Sequence, residues 1–204
     1  MTDTKNLLFC GAFEGEVDLL IRNNFPVLVS GVGISESIFQ LQKYIYDKKS
    51  TPEIIFCGSC GSYDIEKHTI GEIVYSNTFI YQEIAESYGI VKVPDLIQKN
   101  IQTDSSIKIK NFIKSQNLKA GITNSTNSIT IQTIEKKYIS NLENLNFENM
   151  ESFGLAFVAK KLDLKFTAFF SVTNFVGENG SFEWHKNWRV SSNTLQSLIL
   201  ENFY

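Results

Sequence analysis

The chain is poor in several things, and each shortage narrows what it can be. Three cysteines (Cys10, Cys57 and Cys60) cannot complete a disulfide framework, which excludes a stapled secreted scaffold and fits a reducing compartment. Arginine occurs only twice, as Arg22 and Arg189, and neither lies in a phosphate-binding motif. Histidine also occurs only twice, as His68 and His185, and with the cysteines these show no zinc-ligand spacing. No run approaches the roughly 18 consecutive apolar residues of a membrane span. The opening MTDTKNLLFCGAFEGE is interrupted by acids too soon to be a signal peptide. Charge of neither sign dominates: 19 basic and 22 acidic residues are mixed along the chain, so neither a nucleic-acid groove nor an acidic arm is expected. What is present is apolar material, 43% of 204 residues with 13% aromatic, enough to fill one core. A cytoplasmic globular protein of one domain, residues 1–204, is expected, with no membrane or nucleic-acid partner.

Short β-rich runs alternate with helical patterns. Strands are predicted at Asn6–Cys10, Val27–Ser30, Ile54–Cys57, Ile73–Tyr81, Ala120–Asn124 and Phe166–Val172. Helices are predicted at Ser35–Lys48, Glu151–Lys161 and Ser191–Phe203, the last with Ser191 as N-cap and Leu195, Leu198 and Ile199 as its buried stripe. Lys92–Lys114 is the most polar stretch and reads as a loop entering a surface helix. Neither repeat nor linker is visible. Strands interleaved with helices give an α/β domain with a mixed central sheet flanked by helices.

Three predicted strand ends run into small residues: Cys10-Gly11-Ala12, Ser30-Gly31-Val32-Gly33 and Cys57-Gly58-Ser59-Cys60-Gly61. In open α/β sheets ligands sit beyond the carboxyl ends of strands, where glycine lets the backbone approach. Three such clusters point to one shared crevice. None is a dinucleotide fingerprint or a Walker loop, so no cofactor is expected. Cys57-Gly-Ser-Cys60 sits on a predicted strand and lacks a second ligand pair, so buried, inert thiols are expected there, and no metal. His68 and His185 read as ordinary residues.

The order of these pieces resembles the nucleoside phosphorylase/nucleosidase superfamily, over nearly the whole chain. Gly11-Ala-Phe-Glu-Gly-Glu16-Val17 resembles the opening of the methylthioadenosine/adenosylhomocysteine nucleosidases. Ser30-Gly-Val-Gly33 resembles their second glycine turn, and Ile55-Phe-Cys-Gly58-Ser59-Cys-Gly61 their GSxG turn. Asn149-Met150-Glu151-Ser152 resembles the ribose-binding Met-Glu motif. Ser171-Val-Thr-Asn174 stands where the family contacts the purine. The resemblance implies a phosphorylase/hydrolase-like three-layer fold, a purine nucleoside as ligand and, as is common in the family, a homodimer.

It also implies roles. Glu16 would activate water, and Glu151 would accept from the ribose hydroxyls as positive charge grows on the sugar. Met150 would pack on the sugar's apolar side, with Asn149 beside it. Ser59, with Gly58, would face the attacking water or phosphate. Ile129 falls where relatives often stack an aromatic on the base, so Phe175 or Phe153 would have to compensate.

Two departures are informative. Phe56 stands where bacterial purine nucleoside phosphorylases carry a phosphate-binding Arg, which favours water as the nucleophile. Asn174 stands where adenine-cleaving nucleosidases carry Asp. An amide cannot donate that proton as an acid, but its N–H can bond O6 or N7 of a 6-oxopurine. Thr173-Asn174-Phe175-Val176-Gly177, with tryptophans soon after, resembles the futalosine hydrolases of menaquinone biosynthesis. The expected activity is therefore hydrolysis of futalosine to hypoxanthine and dehypoxanthine futalosine. A methylthioadenosine/adenosylhomocysteine-type nucleosidase and a purine nucleoside phosphorylase remain alternatives. A non-catalytic nucleoside binder would have no need of both Glu16 and Glu151.

Overall fold

A computed structural model of the chain describes residues 6–134, 138 and 144–203. Among the described residues, eight strands form one mixed sheet: β1 (Leu7–Gly11), β2 (Val27–Val29), β3 (Glu53–Ser62), β4 (Ile73–Tyr81), β5 (Asn100–Gln102), β6 (Lys119–Ser125), β7 (Phe147–Glu148) and β8 (Phe166–Phe175). The main helices are α1 (Asp18–Arg22), α2 (Ile34–Lys48), α3 (Ile84–Ser87), α4 (Ile107–Ser115), α5 (Ser152–Lys161) and α6 (Gly180–Phe203). The strand order is β2-β1-β3-β7-β6-β4-β5, and β8 pairs with both β3 and β4. Five strands (β3, β8, β4, β6 and β7) thus close into a ring.

Burial on both faces explains why β3 and β8 read as nearly unbroken apolar runs. Along β3, Ile54 and Phe56 enter a core shared with Leu41 of α2 and Leu155 and Ala159 of α5. The alternate residues Ile55 and Cys57 enter a second core with Leu20, Ile109, Leu195, Ile199 and Phe203. Helices therefore cover both sides, giving the three layers expected.

The sequence placed every strand but β5 and β7, which are too short to show a period. Two boundaries moved in ways that matter. β3 does not stop at Cys57: it runs through the glycine cluster to Ser62, with a register irregularity at Cys60/Gly61 opposite β8. The expected turn is strand, paired with β8 along its length and with β7 from Gly61 onward. The last helix does not start at Ser191, which is buried mid-helix and caps nothing; it begins at Gly180 and runs 24 residues. Its apolar stripe is real beyond that point, with Leu195 and Ile199 buried and Leu198 half-buried. Before it, Trp184 and Trp188 face elsewhere, which broke the single stripe that the pattern required.

Candidate active site

A cavity of about 330 Å³ opens beyond the carboxyl ends of β1, β3 and β8. Glu16, Ser59, Glu148, Glu151, Asn174 and Trp184 carry its polar chemistry. Glu16 lies on a 3-10 turn (Glu14–Glu16) ahead of α1 and is only 4% exposed. Its Oε2 accepts from the Ala12 N–H at 2.9 Å, and its Oε1 accepts from both the N–H and the hydroxyl of Ser59, each at 2.9 Å. Burial pushes this carboxyl above its ordinary range, against the pull of those donors. Trp184 Nε1 donates to Ser59 Oγ at 3.0 Å, so indole, hydroxyl and carboxylate form a relay.

Glu151 stands just before α5, also 4% exposed. Oε1 accepts from the Gly33 N–H and Oε2 from Asn149 Nδ2, both at 2.9 Å. Gly33 has φ of +91°, a left-handed conformation that turns its N–H toward the carboxylate and that glycine adopts without strain. Burial first, then repulsion from Glu16, lifts the Glu151 carboxyl to about 7.

Asn149 lines the cavity, but all four of its hydrogen bonds are made within the protein. Its Oδ1 accepts from the N–H groups of Glu151 and Ser152, satisfying free donors at the buried start of α5; its Nδ2 donates to the Ser59 carbonyl and to Glu151. An amide has two donors and two lone pairs, so none is left for substrate. Asn149 ties the Glu16 side to the Glu151 side.

Asn174 is the last cavity-facing residue of β8. Thr173 Oγ1 lies 2.8 Å from its Oδ1, and its Nδ2 donates to the Phe175 carbonyl at 3.3 Å. One N–H remains free to face a ligand.

Of the residues expected from sequence, Glu16, Ser59, Ile129, Asn149, Met150, Glu151 and Asn174 all line this cavity. Gly58 and Phe175 are not among its lining residues. A Cβ at Gly58 would lie 2.5 Å from the Phe56 ring and 3.4 Å from Glu16 Oε2, so Gly58 makes room beside the carboxylate. Phe175 follows Asn174 on a strand, where successive side chains point to opposite faces. Phe153 packs against Tyr81, with ring centroids 5.7 Å apart, and lines a separate groove. Neither phenylalanine can stack on a base in this cavity. The rings that do face it are Phe13 and Trp184, which sequence reasoning did not single out. Trp184 stacks on Trp188 at 5.7 Å, and Phe13 meets both edge-on. The tryptophans' i, i+4 spacing was the available signal, hidden while the helix was expected to begin only at Ser191. His185, read as ordinary, also lines the cavity.

Both arginines close on Asp18, Arg189 at 2.9 Å and Arg22 at 3.1 Å, and among the described residues no Arg or Lys lines the cavity. Phe56 is fully buried against Phe170. The three cysteines are free and buried, with thiols pushed well up by burial. Among the described residues there is no group of side chains able to hold a metal ion, and no helix is long and apolar enough to cross a membrane.

Trp184→Phe keeps the ring and removes one hydrogen bond to Ser59. The expected loss is about 1 kcal/mol, or about fivefold, in kcat. KM should move little, a split that steady-state kinetics reads directly. A change confined to KM would show that the indole serves binding alone.

The mixed sheet, covered by helices on both faces and carrying a buried pair of carboxylates beyond its strand ends, defines an α/β fold with an acidic crevice. The chain belongs to the phosphorylase superfamily, whose model matches residues 26–203. No curated protein matches the sequence. Solved structures do match in fold. A 5'-methylthioadenosine/S-adenosylhomocysteine nucleosidase from Helicobacter pylori superposes with a TM-score of 0.81 at 15% identity, over 96% of each chain. The futalosine hydrolase of Helicobacter pylori gives 0.81 at 15% identity, over 97% of this chain and 96% of that one. A Neisseria meningitidis methylthioadenosine/adenosylhomocysteine nucleosidase gives 0.79 at 14%, over 96% of each.

Proposed function

We propose that this protein hydrolyses the N-glycosidic bond of a 6-oxopurine nucleoside, with futalosine as substrate and hypoxanthine and dehypoxanthine futalosine as products. The observation that carries the reading is the amide of Asn174, held by Thr173 so that an N–H is what it offers the ligand. A hypoxanthine leaving group presents O6 and N7 as acceptors and spreads its departing charge onto O6. Such a group leaves with hydrogen bonding, whereas adenine leaves more readily when N7 is protonated by an acid. Glu16 takes a proton from water as it attacks the anomeric carbon, and Glu151 holds the ribose hydroxyls with bonds that tighten on the oxocarbenium ion. Water is the nucleophile because no guanidinium or ammonium group lines the cavity among the described residues to receive a phosphate dianion.

The test is to incubate the protein with futalosine, its 6-amino analogue, inosine and methylthioadenosine, with and without phosphate, and to follow free base and sugar. Futalosine should exceed its 6-amino analogue in kcat/KM by about tenfold or more, and Asn174→Asp should move the preference toward adenine. Rates should not depend on phosphate. Accumulation of a sugar 1-phosphate, or equal cleavage of the 6-amino substrate, would overturn the reading.

A further inference from the structure

We propose that Glu148 recognises the N1–H of the bound base, so that Glu148 and Asn174 together read a 6-oxopurine from both of its polar edges. The inference rests on the purine-nucleoside reading above and adds a residue that neither the sequence motifs nor the hydrolytic chemistry uses.

The argument begins with register. Gly61 of β3 is the antiparallel partner of Glu148 on β7 and the parallel partner of Asn174 on β8. Residues paired across strands present their side chains on the same face. Glu148, Gly61 and Asn174 therefore form one row, and all three line the cavity. Two strand spacings put the outer Cα atoms about 10 Å apart. The middle position has no side chain, and a Cβ there would come within 2.8 Å of Asn174 Nδ2. The Asn174 amide leans into the space over Gly61, so the row presents a carboxylate at one end and an amide N–H over its middle.

The carboxylate is fixed and needs a further donor. Tyr63 donates its hydroxyl to Glu148 Oε2 at 2.7 Å, and Thr130 Oγ1 donates to the same oxygen at 3.3 Å. The Thr130 backbone N–H also bonds to this carboxylate. An ionised carboxylate offers about four acceptor sites, so these three donors leave room for another. No cation among the described lining residues supplies it. Burial first among its causes, with Glu83 repelling it more weakly, pushes this carboxyl above its ordinary range.

Ligand chemistry then decides. A 6-oxopurine carries a donor at N1 beside an acceptor at O6, while adenine has a bare acceptor at N1 that a carboxylate repels. A carboxylate at that edge and an amide N–H at the other match hypoxanthine twice and oppose adenine at N1.

The experiment is calorimetric binding of free hypoxanthine, 1-methylhypoxanthine and adenine to the unmodified protein and to Glu148→Gln. The unmodified protein should bind hypoxanthine about 10–100-fold tighter than 1-methylhypoxanthine, the range of one hydrogen bond to a charged group. In Glu148→Gln the Tyr63 and Thr130 donors will hold the amide oxygen and turn its NH2 toward the ligand. Hypoxanthine should then weaken by a similar factor and adenine should gain. Comparable binding of the two hypoxanthines by the unmodified protein would overturn the proposal, without need of a variant. So would a hypoxanthine-to-1-methylhypoxanthine ratio left unchanged by Glu148→Gln. If futalosine is not cleaved while the base preference holds, the hydrolase reading fails and this one stands. If futalosine is cleaved while the two hypoxanthines bind alike, the reverse is true.

Discussion

Glu16→Gln should lower kcat by about 10²–10⁴-fold while nucleoside binding stays within a few-fold. The side chain accepts three hydrogen bonds, from Ala12 N–H, Ser59 N–H and the Ser59 hydroxyl. A glutamine oxygen can keep the two from Ser59, so the turn retains its shape, but its NH2 then faces the Ala12 N–H. It has no basic oxygen left for water. Single-turnover rates and calorimetric affinity separate the two effects. Glu16→Asp supplies a control in which a carboxylate is present but retracted, and it should fall between the two. Near-full activity in Glu16→Gln would place the base elsewhere.

Glu151→Gln should cost about 10²-fold in kcat/KM, the sum of two weakened bonds from ribose hydroxyls to a charged acceptor at about 1.5 kcal/mol each. Because Glu151 titrates at about 7 and must be ionised to accept from both hydroxyls, kcat/KM should fall as pH drops through that value. Glu16 is part of what raises it, so binding of a nucleoside analogue to Glu16→Gln should show the same limb at lower pH. Stability should run the other way. A carboxyl whose folded-state pKa is raised contributes stability that is complete below its unfolded value, and loses that contribution as pH rises through its folded value, here about 7. Between about pH 6 and about pH 8, the melting temperature of the empty protein should therefore fall relative to that of Glu151→Ala. A constant difference across that range would mean that Glu151 does not titrate there.

The strands buried along nearly their whole length, β3 and β8, were legible because burial on two faces writes itself into composition. Glu16, Ser59, Met150, Glu151 and Asn174 were legible because each sits in a short motif whose order along the chain is informative. What could not be read was whatever depends on pairing between distant segments. β7 is two residues long and carries no period, so Glu148 had nothing to distinguish it from a surface acid. Gly58-Ser-Cys-Gly61 looks like a turn because glycine ends many strands; only its pairing with the distant β8 keeps it extended. Asn149 looked like a ligand contact until its four internal bonds were counted. The aromatic wall was missed because a helix with two successive faces, Trp184 toward the cavity with Trp188 stacked behind it and then Leu195 and Ile199 toward the core, shows no single stripe.

The closed ring of β3, β8, β4, β6 and β7 has a consequence for movement. Gly61 and Asn174 lie on strands that are hydrogen-bonded on both sides, and Glu148 is clamped between β3 and β6. None of these three can shift without tearing a ladder. The parts of the cavity wall outside the ring are the first turns of α6 with Trp184 and His185, the segment at Ser128 and Ile129, and Val32, which is 61% exposed at the rim. The floor of the cavity is therefore fixed by the sheet, and its rim by helix and loop segments that no strand ladder ties down.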